Sequence, residues 1–367
     1  MLFRSGLAGC TGGPGDGTET DAGGEGDATD AGTPMGNQSA TTDAGMTEEG
    51  TDAGTDDGTD AGGDGETTYV GMVYATGGLG DGSFNDQAQS GLQQASEEFD
   101  IQSNESEPSQ VSEFSTFQQS YAESENPDWD LVSCIGFLQA EALASTSEQY
   151  PDQNFMIVDA EVDAPNVANY LFAEHEGSYL AGQMAGLLTT EGFSAGQGET
   201  NGDPVVGFVG GVQGALIEKF EAGYKAGVNA ANSDAEVLTT YVGAFDDPTG
   251  GQQAANSMYN RGADIVYHAA GNTGTGVFSA AQSAGRFAIG VDRDQSVTRP
   301  SFSDVILASM VKRVDTAVYN AIAATVNDEF PAGSTTALGL EEEGVALVYG
   351  QGIGSEVPDG VRSQVEE

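Results

Sequence analysis

Lysine is nearly missing from this 367-residue chain: it occurs only as Lys219, Lys225 and Lys312, and with seven arginines it sets ten bases against 58 acids. A net charge of −48 excludes the basic face that nucleic acid or an anionic lipid surface requires. Histidine is as scarce, with only His175 and His268; there is no His-Glu-x-x-His pattern and no Walker A loop. Catalytic residues and metal ligands are therefore not expected. Two cysteines, Cys10 and Cys134, exclude a disulfide framework. No apolar run reaches the ~18 residues that a membrane-crossing helix needs.

What replaces these residues is small and acidic. Residues 11–67 hold no Lys or Arg and five copies of Thr-Asp-Ala-Gly, starting at Thr20, Thr29, Thr42, Thr51 and Thr59. Such a segment cannot bury enough apolar surface to offset its chain entropy, so it reads as a disordered acidic tether. It carries 15 of the acids, leaving 43 against 10 bases in the rest of the chain. At ~1 M salt the Debye length shrinks to ~3 Å and crowded carboxylates scarcely repel one another. The composition thus reads as that of a protein working in near-saturating salt.

Immediately before the tether stands Leu7-Ala8-Gly9-Cys10, which is similar to a bacterial lipobox. That resemblance implies a lipid on Cys10. The nine residues in front are too few for the apolar stretch of a signal peptide, so residues 1–10 read as a truncated signal. Cys134 lies in an apolar run and reads as a small buried hydrophobe.

From Tyr69 onward short apolar runs alternate with helical stretches. Strands are expected at Tyr69–Tyr74, Trp129–Ile135, Phe155–Val158, Val205–Val209, Glu236–Val242, Asp264–His268, Phe287–Val291 and Val305–Ser309. Helices are expected over Gln87–Phe99, Gly177–Leu188 and Ala215–Ala231. This alternation argues for βαβ units and an α/β fold, and the count fits two doubly wound, Rossmann-like lobes better than one wide sheet. In such sheets ligands lie beyond the carboxyl ends of the strands.

The first turn there is Gly77-Gly78-Leu79-Gly80-Asp81-Gly82-Ser83-Phe84-Asn85. Asp81, Ser83, Phe84 and Asn85 offer a carboxylate, a hydroxyl, an aromatic face and an amide at one helix entrance; Ser83 or Asn85 would serve equally well as helix cap. Phe84, a large ring in a polar turn, is either a lid or a stacking platform. Similar Gly-rich or acidic segments follow at Glu176–Gly182, Val206–Gly211, Ala270–Gly276, Ile289–Gln295 and Ser309–Asp315. In this order the segments resemble the basic membrane protein family of nucleoside-binding lipoproteins that serve ABC importers.

The resemblance implies a periplasmic-binding-protein fold of the first type: two hinged lobes, three crossovers and a ligand closed between them. Crossings are expected near Phe172–Glu176 and Asp292–Asp294, with a third late in the chain. This puts residues 68–174 and 293–320 in the first lobe, and 175–292 and 321–367 in the second. It also implies stacking on Phe84 and Phe245, carboxylates at Asp292 and Asp159, a cation at Lys312, and close backbone at Gly271 and Gly274.

One carboxylate accepting from vicinal hydroxyls while an ammonium donates would satisfy a ribose. The expected function is extracytoplasmic capture of a nucleoside, with a purine base, by a monomer anchored on the outer face of the cytoplasmic membrane. Its partners would be an ABC permease and ATPase, and it would need no cofactor. A nucleoside-processing enzyme, a binder of another small neutral ligand such as a sugar, and a purely structural surface protein are the alternatives.

Overall fold

The computed structural model describes residues 67–366. The expected truncated signal, the lipid-bearing Cys10 and all but the last residue of the expected tether lie outside them.

The first lobe opens with β1 (Thr68–Val73), α1 (Phe84–Glu98), β2 (Ile101–Ser106), α2 (Phe114–Ala122), β3 (Leu131–Cys134), α3 (Ala140–Gln149), β4 (Phe155–Val158) and β5 (Val167–Phe172). Through Ala173 the chain passes into α4 (Glu174–Leu188) and a short hairpin, β6 (Ser194–Ala195) and β7 (Gly198–Glu199). The second lobe continues with β8 (Val205–Gly210), α5 (Ala215–Ala231), β9 (Glu236–Tyr241), α6 (Pro248–Asn260), β10 (Ile265–Ala269), α7 (Thr273–Ala284), β11 (Phe287–Asp292), α8 (Gln295–Thr298) and β12 (Ile306–Lys312). After Arg313 the chain returns to the first lobe as α9 (Val314–Val326) and β13 (Thr335–Leu338), then crosses again to finish as β14 (Val345–Tyr349) and α10 (Asp359–Glu366).

Two six-stranded sheets result, with strand orders β13-β5-β4-β3-β1-β2 and β14-β12-β11-β10-β8-β9. All their pairings are parallel except β12 with β14. Helices cover both faces, so the central strands are buried on both sides and read as continuous apolar runs. Every residue of β3, β4, β10 and β11 is buried. Small residues let the helices approach closely: a side chain at Gly182 of α4 would strike the Tyr224 carbonyl of α5, and one at Gly227 the Tyr179 carbonyl.

The mixed α/β architecture of two Rossmann-like lobes matches the expectation, whereas the second crossing does not. β12 pairs with β11 and so belongs to the second lobe, moving the crossing from Asp292–Asp294 to Lys312–Arg313. Residues 293–312 therefore lie in the second lobe. Because α9 packs on α1 and β13 pairs with β5, residues 314–338 lie in the first. Strands β2, β5, β6, β7, β13 and β14 are also additional to those expected. β2 is a polar edge strand whose Ile-Gln-Ser-Asn-Glu-Ser sequence carries no apolar alternation.

Candidate functional site

The carboxyl ends of both sheets face one cavity with about 650 Å³ of space free of atoms, part of it open to solvent. The rings of Phe84, Phe114, Phe137, Phe220 and Phe245 line it, and Asp159, Asp292 and Lys312 form a polar group in its wall.

Each side chain arrives from a strand end or the turn that follows. The turn after β1 brings Asp81, Phe84 and Asn85 to the cavity. Asp81 accepts from the backbone N–H groups of Ser83 (2.9 Å), Asn85 (2.9 Å) and Asp86 (3.2 Å), so it organises the entrance of α1. Ser83 makes no capping bond and Asn85 is not the cap; the sequence left the choice between those two and missed the carboxylate before them. Asn85 instead braces the turn, accepting from Ala75 N (3.0 Å) and donating to Gly78 O (3.0 Å). Burial pushes the Asp81 carboxyl up to about 6, with the three N–H donors opposing.

Asp159 follows β4 and Asp292 ends β11, and both hold left-handed backbone, with φ of 69° and 64°. Lys312, the last residue of β12, is buried and lies 2.6 Å from Asp159 Oδ2 and 3.6 Å from Glu174 Oε1. Its Nζ also sits 4.8 Å from the Phe84 ring centroid, 5.5 Å from Phe172 and 5.4 Å from Phe220, within cation–π range. Burial alone would lower the ammonium's pKa, but Asp159, Glu174 and Asp292 outweigh it and hold Lys312 raised. Burial pushes Asp159 up to about 7 against the pull of Lys312, and raises Asp292 likewise. Asp159 Oδ1 is buried without a hydrogen-bond partner. A buried acceptor of this kind costs free energy until something donates to it.

Eight of the expected site residues therefore line one cavity: Asp81, Phe84, Asn85, Asp159, Phe245, Gly271, Asp292 and Lys312. Ser83 lies behind the wall, where its hydroxyl donates to Asp292 Oδ2 from the other lobe. Gly274 does not reach the cavity: it lies against the His268 ring, where any side chain would clash. His268 is buried, its Nε2 bonded to Gln295 Oε1 at 2.9 Å, and burial takes its pKa down to about 4. His175 is exposed.

Glu174, Phe137 and Phe220 were not singled out from the sequence. Phe137 follows Gly136 directly after β3 and approaches Phe245 edge-on at 6.4 Å between centroids. The signal that marked Phe84, an aromatic in the turn after a strand, is present there too. Glu174 is fully buried and bonds Lys219 at 2.9 Å. It lies inside the crossing expected near Phe172–Glu176, but a glutamate in the first turn of a helix ordinarily faces water.

Residues 68–367 match the Bmp family, described as ABC transporter substrate-binding protein PnrA-like. The chain belongs to the Bmp family. Among its relatives, a CD4+ T-cell-stimulating antigen of Listeria innocua is 38% identical over 317 residues, covering 81% of this chain and 84% of the relative. The ABC transporter nucleoside-binding protein BmpA of Lactococcus lactis is 33% identical over 295 residues, covering 75% and 80%. The crystal structure of an ABC transporter solute-binding protein from Aeropyrum pernix matches with a TM-score of 0.69 and 31% identity, covering 82% of this chain and 86% of that one. Like other Bmp members, the chain is a substrate-binding protein of ABC-transporter type. No helix among its described residues is long and apolar enough to cross a membrane.

Proposed function

We propose that this Bmp protein captures a purine nucleoside between its lobes and delivers it to an ABC permease and its ATPase, anchored through a lipid on Cys10. The observation that carries the reading is the buried Lys312–Asp159 pair at 2.6 Å, with Asp159 Oδ1 left without a donor beside a cavity walled by aromatic rings. A sugar hydroxyl donating to Asp159 Oδ1 satisfies that acceptor, and Asp292 and Lys312 serve the neighbouring hydroxyls. Phe84 and Phe245 take the faces of the base, and the backbone at Gly271 lies against it. Asp81, Ser83 and Asn85 act at one remove by holding the turn that carries Phe84.

A phosphorylated cargo would add negative charge beside three buried carboxylates, so the reading takes an uncharged nucleoside. The name of the Lactococcus lactis relative supports the same class. The acidic composition supports operation in concentrated salt, where stacking and hydrogen bonds outlast long-range attraction. Mass spectrometry of small molecules released by denaturing the purified protein, with calorimetric titration of inosine, guanosine and adenosine at high salt, tests the proposal. Retention of the intact nucleoside is expected. Appearance of free base and sugar would make the protein an enzyme, and no retention of any nucleoside would defeat the reading.

A further inference from the structure

The cavity wall does not account for all the contacts between the lobes. The segment Asp292–Arg299, which belongs to the second lobe, grips the Gly-rich turn of the first. Thr298 Oγ1 donates to Gly82 O at 2.8 Å, Gln295 Nε2 donates to the same carbonyl at 3.4 Å, and Arg299 Nη2 donates to Gly80 O at 2.9 Å.

Neither Thr298 nor Arg299 lines the cavity. In a chain with ten bases, Arg299 makes no ion pair among the described residues; its Nη2 reaches only Gly80 O and, at 3.4 Å, Asn272 Oδ1. The turn is shaped to receive it. Gly82 has φ of 58°, and a side chain there would lie 2.8 Å from Arg299 Cζ.

The grip is anchored deep in the second lobe. Gln295 is fully buried; its Oε1 accepts from Val291 N (2.8 Å), and its backbone N–H donates to Ser309 Oγ (3.0 Å). With that oxygen turned to the Val291 donor, His268 Nε2 must carry the proton in its 2.9 Å bond to Gln295. The imidazole thereby fixes the amide that faces Gly82.

We infer that Thr298 and Arg299 are positioning residues for cargo capture: they latch the Gly80–Gly82 turn to the second lobe and so set how long the closed form persists, without touching the ligand. The identity of the cargo rests on the preceding proposal, but the latch itself does not.

Spin labels at Ser145→Cys on α3 and Ser257→Cys on α6, in a Cys10→Ser background, read the interlobe distance of the ligand-free protein. Thr298→Val and Arg299→Gln are expected to shift the distance distribution to longer values, and Thr298→Ser to restore it. In the ligand-bound protein each of the two disruptive variants is expected to speed dissociation about 2- to 10-fold, the worth of one hydrogen bond, with the association rate unchanged. An interlobe distance that none of the variants alters overturns the latch. So does a shift that Thr298→Ser fails to reverse. A reversible shift in a protein that retains no nucleoside upholds the latch and removes the cargo proposal alone.

Discussion

The two lobes are built on one frame but furnished differently. Strand for strand, β1, β2, β3, β4, β5 and β13 correspond to β8, β9, β10, β11, β12 and β14, because the two sheets have the same order. Asp159 and Asp292 then occupy the same place, each leaving its strand in left-handed backbone. One residue along the neighbouring strand, Phe172 in the first lobe corresponds to Lys312 in the second. The repeated frame delivers two carboxylates to the cavity, and the unmatched pair supplies the single cation and a ring beside it. Asp159 is met by that cation, whereas Asp292 is met by the Ser83 hydroxyl of the opposite lobe. Symmetry sets where polar groups enter, and its breach sets what they can hold.

The largest expected effect comes from erasing that breach. Lys312→Met leaves Asp159, Glu174 and Asp292 without their shared cation, and should cost about 3–5 kcal/mol of stability, read by chemical denaturation at high salt. Asp159→Asn and Asp292→Asn separate the two equivalent carboxylates, since Asn also tolerates left-handed backbone. Asp159→Asn should weaken nucleoside binding by about 1.5–3 kcal/mol by calorimetry, the range for hydrogen bonds to a charged group.

The same pair should differ in pH dependence. Asp159, raised to about 7, loses its acceptor when protonated, so wild-type affinity should fall as pH drops through about 7. That step should vanish in Asp159→Asn and survive in Asp292→Asn. Phe84→Ala should cost about 1–3 kcal/mol of binding if the ring stacks on a base; an unchanged dissociation constant would make the ring packing only.

The smallest effect lies away from the cavity. Asp264 precedes β10 at the end opposite the cavity, and burial raises its carboxyl from 3.8 to about 6 despite bonds from Thr189 Oγ1 (2.8 Å) and Asn201 N (3.2 Å). The fold favours its protonated form, so this contribution is full below pH 3.8 and is lost as pH rises through about 6. Asp264→Asn should flatten that part of the stability profile and leave nucleoside affinity unchanged.

The sequence made the central strands visible because strands buried on both faces, such as Phe155–Val158, must be apolar throughout. It made the first turn of the cavity visible because a ring stands among glycines at Phe84, whereas Asp159, Phe245, Gly271, Asp292 and Lys312 were reached through the family resemblance. What it hid depends on pairing. β11 and β12 are both apolar, and nothing in either run says that β12 stays with β11 before the chain crosses. Glu174 was hidden for a similar reason: a glutamate in the first turn of a helix ordinarily points to water, and only the convergence of two crossovers encloses it with Lys312 and Lys219.

The exchange of segments at the crossovers also bears on how the molecule comes into being. The first sheet gains its last strand only when Thr335–Leu338 joins β5, and α9 packs on α1. The sheet of the N-terminal half is therefore completed only by residues close to the C-terminus. Such long-range closure slows folding.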